Sequence, residues 1–475
     1  MAEAAVAVET AVAEQSTLRC VASTGDKYRC TVDEAHPGWA DLVHGHATRA
    51  DKDESNCFRH ALLSADGTAV VTYNEDLILR TFAVPSVVDS SEKPSELSPY
   101  CSAPSPAKLT SITLHPAFEV SKPATTLLLT SQPHLPIRLT NALDLSYTHA
   151  SYTWQNHLTE AYISPSSLLF VDNDHFVAGS KDTLAVFNIY TRDGPTYESA
   201  TRKGRKARKL YGADTSGIGG IVSSLALSND NILAAGTYNR QVGLFEHAGQ
   251  GESMTAFDLS YNDADDRLLK GNGVSQLAWS PCGNYLFVAE RQSDALLVYD
   301  IRHTGQRLSY LSGRQGLTTL KLSFDLVSDA YGKIDIWAGG TDGKVRVWRD
   351  VTSREGCIES DLALQASTAA VSNTILSRRE PMLITTSGQR RSPSHLVGLD
   401  DSSSDSDSSS SEDDTNSSAS EDDLDSEHSE SNSEEPEQAE AQGEAVVLAM
   451  PSCEAVDRSS REPAFDNVLS FWRIL

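Results

Sequence analysis

The sequence lacks the features that mark disulfide-stabilised, secreted or membrane-spanning proteins. Its seven cysteines are odd in number and include no C-x-x-C pair; they stand at positions 20, 30, 57, 101, 282, 357 and 453. This argues against a disulfide framework and a zinc site, and indicates a reducing compartment. The chain has no apolar run of about 18 residues, and its start (MAEAAVAVETAVAEQ) lacks the basic residues of a signal peptide. We therefore expect a cytoplasmic or nuclear protein with no membrane association.

Positive charge is also scarce. The 475 residues contain 39 Lys and Arg against 66 Asp and Glu, which gives a net charge of -27. Much of the excess lies between Asp400 and Glu444, where eighteen acidic residues and fifteen serines occur without a Lys or Arg. Such a composition cannot bury enough apolar surface to offset chain entropy. We expect residues 391–464 to be disordered, and residues 1–16 to form a disordered N-terminal tail.

What the sequence does contain is a repeat of about fifty residues, seen in four similar segments. They are DTLAVFNIY (182–190), RQVGLFEHA (240–248), DALLVYDIR (294–302) and DGKVRVWRD (342–350). Each joins a polar turn to alternating apolar residues and an aromatic residue: Phe187, Phe245, Tyr299 and Trp348. Such alternation, broken by turn dipeptides, predicts short antiparallel strands. Units of four strands cannot bury both faces alone, so they pack radially into a propeller.

Two fainter units precede these (57–84 and 108–143), and an incomplete one follows at 370–390. The chain then ends in NVLSFWRIL, which has the pattern of a missing strand, with Trp472 at the aromatic position. We therefore predict an all-β, seven-bladed WD40-type propeller over residues 17–390. Its acidic insertion (391–464) would lie inside the last blade, and residues 465–475 would supply the closing strand. A terminal peptide motif after a disordered tail is the alternative, and a further strand within 17–45 is left open.

No segment has the pattern of an active site. GGTDGKV (339–345) has the glycines and lysine of a phosphate loop, but the GxxxxGK[ST] spacing fails and Val345 follows the lysine. An Asp-Gly hairpin turn explains it better. GxSxG and HExxH are absent, and the thirteen histidines are dispersed. We expect no catalytic activity, no cofactor and no metal site.

One basic segment stands out in this acidic chain. TRKGRKARKL (201–210) carries six cations in eight residues: Arg202, Lys203, Arg205, Lys206, Arg208 and Lys209. Since neutralisation of phosphates dominates RNA affinity, a loop of this kind on a propeller rim is a candidate RNA clamp. A nuclear localisation signal and a merely solvated loop are the other interpretations. Four further cations lie at predicted turns, where several would share one rim: Lys181, Arg240, Arg291 and Arg302.

The order of segments resembles one family, the telomerase Cajal-body WD-repeat proteins and their fungal counterparts. The similarity runs from GWADL (38–42) through LPIRLTNAL, YTWQNHLTEAYISPSSL, SGIGGIVSSLALS and GGTDGKVRVW to TTSGQR (385–390). YNRQVGLF (238–245), and TSGQR together with the terminal strand, are its most specific parts. The sequence departs from the family in LPIRLTNAL, which has Thr-Asn where the family tends to have Trp-Asp.

The resemblance implies a non-catalytic nuclear scaffold that binds small nuclear or Cajal-body-type RNA and its RNP proteins, and assists RNP assembly. It also implies that Arg302 stands where the family has an Arg, with a bond to the neighbouring blade as the leading interpretation and direct RNA contact as the other. A protein-only adaptor is the alternative, either a spliceosomal interaction platform or a ubiquitin-ligase substrate receptor. Within the acidic segment, Ser411, Ser420 and Ser431 precede acidic residues and fit an acidophilic kinase, while a solubilising spacer explains the segment equally well.

Overall fold

The computed structural model describes residues 18–25, 56–85, 93–202, 217–259, 269–303, 306–388 and 467–474. The disorder expected for residues 1–16 and 391–464 falls outside these ranges. In the part of the chain described, no helix is long and apolar enough to cross a membrane.

The described residues contain thirty short strands in seven sheets, which are the seven blades of a propeller, as predicted. The first strand along the chain is β1 (Leu18–Ser23). Blade one consists of β2 (Phe58–Leu63), β3 (Ala69–Asn74), β4 (Ile78–Ala83) and, after the two-residue strand β5 (Ser95–Glu96), β6 (Cys101–Pro104). Blade two consists of β7 (Ser111–Leu114), β8 (Leu127–Ser131), β9 (Ile137–Asn141) and β10 (Asp144–Tyr152). Blade three consists of β11 (Ser167–Phe170), β12 (His175–Ser180), β13 (Thr183–Asn188) and β14 (Tyr197–Ala200).

The remaining blades repeat this order. Blade four consists of β15 (Val222–Leu227), β16 (Leu233–Thr237), β17 (Gln241–Phe245) and β18 (Ser253–Asp258). Blade five consists of β19 (Val274–Trp279), β20 (Tyr285–Glu290), β21 (Leu296–Asp300), β22 (Arg307–Leu311) and a parallel edge strand, β26 (Gly356–Ile358). Blade six consists of β23 (Phe324–Ser328), β24 (Ile334–Gly339), β25 (Lys344–Trp348) and β27 (Leu362–Gln365). Blade seven consists of β28 (Val371–Leu376), β29 (Met382–Ser387) and β30 (Val468–Ile474), followed by β1 and β5. Three short 3-10 turns are described at His247–Gly249, Ile301–His303 and Val351–Ser353.

The aromatic residue of the repeat packs each blade against the blade before it. Phe187 of blade three lies in one apolar cluster with residues of blade two, and Trp348 of blade six lies in another with Phe287 of blade five. Tyr299 of blade five packs in the same way with Leu244 of blade four. The period of the sequence pattern is therefore the period of the interfaces between blades, which hold most of the core.

Trp472 continues this series in the last blade. It lies opposite Leu383 in β29, as Tyr299 lies opposite Leu286 in β20. Its cluster contains Trp337 of blade six. The strand that carries it, β30, is paired on its other side with β1, so the two ends of the ring are joined by antiparallel pairing. The segment Leu18–Ser23, left open above, is the strand that completes the closure.

Each blade turns at two rims. In each blade the start of the first strand lies beside the end of the second strand, as Val274 lies opposite Glu290 in blade five. The turns from second to third strands and the connections into each next first strand therefore share one rim, which we call the upper rim. The remaining turns form the lower rim. Gly388 and Asn467, which flank the acidic segment, adjoin each other at the upper rim, since an added Cβ at Gly388 would lie 2.3 Å from Asn467 Oδ1.

Candidate nucleic-acid interface

The basic segment begins on the upper rim, in the connection from β14 to β15. The Ile218 amide donates to the Thr201 carbonyl at 3.0 Å, and the Thr201 hydroxyl donates to the Ile218 carbonyl at 3.0 Å. Asp182, in the turn before β13, ties this base to blade three, since its carboxylate accepts a hydrogen bond from the Gly220 amide at 2.6 Å. The residues described on either side of 203–216 are therefore held side by side.

Gly217 closes the base of this segment in a conformation that favours glycine. Its φ is +75°, and an added Cβ would lie 2.1 Å from the Thr201 carbonyl oxygen. Arg202, bridged to Gly217, is exposed. The other five cations of the segment, from Lys203 to Lys209, lie outside the described residues, as do the candidate phosphorylation sites Ser411, Ser420 and Ser431.

Three of the four separate cations predicted at turns share this rim. Lys181 is exposed and bridges Ile221 at the start of blade four. Arg240 and Arg291 occupy the corresponding turns of blades four and five. Arg302 differs, because it follows the third strand of blade five and therefore lies on the lower rim.

Arg240 has a role between blades rather than at the surface. It is buried, and its Nε and Nη2 donate to the two carboxylate oxygens of Glu290 at 2.7 and 3.0 Å. Nη2 also donates to the Leu259 carbonyl at 3.3 Å. Because the guanidinium is held between blades four and five, it is not part of the interface proposed for RNA.

Arg302 is held by its own blade, so the expected bond to the neighbouring blade is wrong. Its Nε and Nη2 donate to the Asp300 carboxylate at 2.9 and 2.6 Å, and the guanidinium lies 5.8 Å from the Tyr285 ring centroid. The hydrogen bond to Asp300 raises the pKa of Arg302 and lowers the pKa of Asp300. The expectation of several cations on one rim therefore fails for Arg302, because the chain reaches it after the full length of β21.

Arg291 reaches into the central channel of the propeller. Its Nη2 donates to the Tyr238 hydroxyl at 2.7 Å, and its guanidinium carbon lies 4.5 Å from the Tyr238 ring centroid. Its Nε is buried and has no hydrogen-bond partner among the described residues. A second tyrosine, Tyr152, is not available to stack a base, because it is fully buried and its hydroxyl donates to the Ile189 carbonyl at 2.7 Å.

The mouth of this channel, at the upper rim, is a cavity of about 410 Å³ with a marked excess of positive charge. The charged residues that line it, which define the channel mouth, are Arg59, Glu75, Lys108, Arg291 and Lys321. Glu75 is the one carboxylate among its described lining residues, and it is paired with Arg59. Sequence reasoning found only Arg291 of this group.

Two pKa shifts reflect the burial of the channel mouth and, to a smaller extent, its positive charge. Burial, together with the charges of Lys321, Arg59 and Arg291, lowers the pKa of His60 to about 3. Burial and the charge of Arg291 lower the pKa of Lys321 to about 8. The neighbouring cations thus act in the same direction as burial, which is the larger cause of both shifts.

A sequence signal for the two missed lysines exists in hindsight. Lys108 begins KLTS (108–111) and Lys321 begins KLSF (321–324), each immediately before the first strand of a blade. In both cases the leucine that follows is buried. The shared K-L-[ST] pattern places a cation at the channel mouth in blades two and six.

Among the residues described, no group of three or more His, Cys, Asp and Glu side chains is arranged to hold a metal ion. No family model matches the chain.

Comparison with curated proteins gives three kinds of relative. The chain is 30% identical over 300 residues to guanine nucleotide-binding protein negative regulator 1 of Schizosaccharomyces pombe, covering 62% of this chain and 71% of the relative. It is 25% identical over 384 residues to telomerase Cajal body protein 1 of Mus musculus, covering 77% and 66%. It is 22% identical over 305 residues to protein SWT21 of Vanderwaltozyma polyspora, covering 63% and 68%. The chain thus spans just under two thirds of the mouse protein.

Proposed function

Since this chain belongs to the WD-repeat family that includes telomerase Cajal body protein 1 and the fungal negative regulator and SWT21 proteins, we propose that it is a non-catalytic scaffold that binds small nuclear or Cajal-body-type RNA. In this role it assists the assembly or nuclear placement of an RNP, and its partners are the RNA and the proteins bound to it. It acts in the nucleus.

The observation that carries this proposal is the collection of cations on one rim of an acidic protein. Exposed Lys181 and Arg202 stand there, and Thr201 and Arg202, the first two residues of TRKGRKARKL, are held beside Gly217 and Ile218. Phosphate contacts supply most of the affinity of single-strand binding, and clustered Lys and Arg side chains provide them. Tyr238 and Arg291 add an aromatic ring and a guanidinium at the inner edge of the same rim, which suits stacking against unpaired bases.

In this proposal the acidic segment regulates RNA binding. Its flanking residues adjoin each other on the upper rim, which also carries the base of the basic segment. Phosphorylation of Ser411, Ser420 and Ser431 by an acidophilic kinase would add further negative charge to the segment. Such charge would weaken RNA binding through repulsion of phosphates.

A protein-only adaptor is the second candidate. The observation that favours it is the 30% identity to a relative named for the negative regulation of a guanine nucleotide-binding protein. Under this alternative the rim binds a protein, as in a spliceosomal platform or a ubiquitin-ligase substrate receptor, and the basic segment serves as a nuclear localisation signal.

Ultraviolet crosslinking in cells separates the two candidates. The tagged protein is compared with a variant in which the six cations of residues 202–209 are replaced by Gln, both fused to an independent nuclear localisation signal. We expect a few small nuclear RNAs to be enriched with the first protein and lost with the second. RNA at background level in both, with a constant set of co-purified proteins, would refute RNA binding and favour the adaptor.

A further inference from the structure

The channel mouth has four cations against one carboxylate among its described lining residues; Arg59, Arg291 and Lys321 are half-buried, and Lys108 is exposed. Arg59 is paired with Glu75, but Arg291 is bonded only to a tyrosine hydroxyl and keeps a buried Nε without a partner among the described residues. No carboxylate of the described residues forms an ion pair with Lys321. Cations removed from water without a counter-charge destabilise the fold, so the arrangement calls for an anion from outside.

A fully buried cation bonds the peptide that follows Lys321. Arg314 is 1% exposed, and its Nη2 donates to the carbonyls of Leu322 and Ser323 at 2.7 and 3.4 Å. The backbone that carries Lys321 into the channel mouth is therefore fixed by a guanidinium.

Three hydroxyl groups around the channel are already used by the propeller itself. Thr110 donates to the Pro165 carbonyl at 2.6 Å, Ser167 to the Val222 carbonyl at 2.9 Å, and Ser223 to the Val274 carbonyl at 2.6 Å. Each of these bonds joins one blade to the next. The groups left to recognise a ligand are mainly the cations, which favours a strongly charged anion over a neutral polyol.

We propose that the channel mouth is a phosphate-binding site in which Arg291 and Lys321 hold the anion, with Arg59 and Lys108 beside them. A phosphate group carries up to two negative charges and several acceptor oxygens, and a guanidinium can bind two of them at once. A ligand with one carboxylate would balance only one of the positive charges. The cavity volume lies in the usual range of small-molecule sites, about 300–1,000 Å³. A free polyphosphate and a backbone phosphate of RNA both have this chemistry.

Titration calorimetry of the full chain tests the site, with inositol hexakisphosphate as the polyphosphate probe. We expect the double variant Arg291→Gln with Lys321→Gln to bind the probe about tenfold more weakly or worse, because two charge-assisted contacts are lost. Lys321→Arg keeps the charge and should keep most of the affinity. Lys333→Gln, which removes a cation paired with Asp350 on the lower rim, is the matched control and should bind like the unaltered protein.

Failure of the probe to bind the unaltered protein, or equal binding by the double variant, would overturn the site. Thermal unfolding of each variant shows whether a loss of binding reflects a loss of folding, and Lys321→Arg keeps the test valid if Lys321→Gln is unstable. Purified small nuclear RNA, added as a competitor, separates the two sources of phosphate. Displacement of the probe assigns the site to RNA phosphate, and simultaneous binding of both assigns it to a free polyphosphate. The site stands without the proposed RNA function, which fails separately if no RNA crosslinks.

Discussion

The indole Nε1 of Trp472 donates a hydrogen bond to the Thr385 hydroxyl at 2.8 Å, across the pair of strands that flanks the acidic segment. After the acidic segment the chain forms β30, which lies between β29 and β1 in blade seven. The strand β1 therefore pairs with β30 and not with β29. The entropy of closing so long a loop grows only logarithmically with its length. Pairing on both sides of β30 and burial of Leu469 and Phe471 offset it.

The closing strand predicts a loss of stability on truncation of Trp472. Trp472→Ala should lower the free energy of unfolding by about 2 kcal/mol, since it removes a half-buried indole and its hydrogen bond. Tyr331→Ala is the matched control, because Tyr331 is 91% exposed and its loss should change little. Chemical denaturation measures both. Equal stability of the two variants would contradict the account of the terminus.

The Arg240–Glu290 pair predicts a larger effect from a nearly isosteric change. Glu290→Gln removes the carboxylate charge that pairs with the buried Arg240 guanidinium, and breaking a buried pair in this way typically costs about 3–5 kcal/mol. Asp300→Asn removes the partner of exposed Arg302 and should cost much less, because exposed ion pairs contribute little to stability. Denaturation curves of the two variants give the comparison. A small effect of Glu290→Gln would show that the pair does not hold blades four and five together.

Gly217 predicts a local cost at the base of the basic segment. Gly217→Ala combines a positive φ with a Cβ only 2.1 Å from the Thr201 carbonyl oxygen, so the base must shift. Gly332→Ala is the control, since Gly332 has a φ of +82° but no atom within 4 Å of an added Cβ. We expect about 1 kcal/mol for Gly332→Ala and clearly more for Gly217→Ala. Equal losses in denaturation would mean that the close approach to Thr201 carries no weight.

The lowered pKa of Lys321 predicts that anion binding at the channel mouth weakens as the pH rises through about 8, where Lys321 loses its charge. The charged and titratable groups around it are Arg59, His60, Glu75, Lys108, Arg291 and Asp325. His60, with a pKa of about 3, is neutral throughout this range and adds no pH dependence. In Lys321→Arg the affinity should persist to higher pH. Calorimetry between pH 7 and pH 9 measures the affinity for inositol hexakisphosphate. Identical pH profiles for the unaltered protein and Lys321→Arg would contradict this assignment.

The propeller could be predicted because its interfaces repeat. Phe187, Tyr299 and Trp348 mark the surface that blades three, five and six turn toward the blade before, and these aromatic residues are visible without an alignment. Trp472 was identifiable for the same reason. The strand β1 was not, since LRCVAS has neither the turn nor the aromatic residue of the repeat, and it is held by pairing with β30 and β5.

The channel mouth could be predicted only in part, because it is assembled from single cations of different blades. Lys108 and Lys321 are more than two hundred positions apart in the sequence, and each looks like an ordinary residue before a strand. Arg302 shows the opposite difficulty. It is close in sequence to Arg291, yet the strand β21 carries the chain from one rim to the other between them.

The central claim is that the upper rim binds RNA through its cations, and the salt dependence of RNA affinity tests it most directly. Labelled small nuclear RNA is titrated with the protein over a range of salt concentrations, and a Gln variant of the six cations in 202–209 and an Arg302→Gln, Lys333→Gln variant are measured beside it. For single strands the slope of log K against log salt is about -0.7 per phosphate contact. We expect a steep slope that becomes much shallower in the first variant and stays unchanged in the second. A shallow slope in all three proteins, or an equal slope with and without the six cations, would contradict the account.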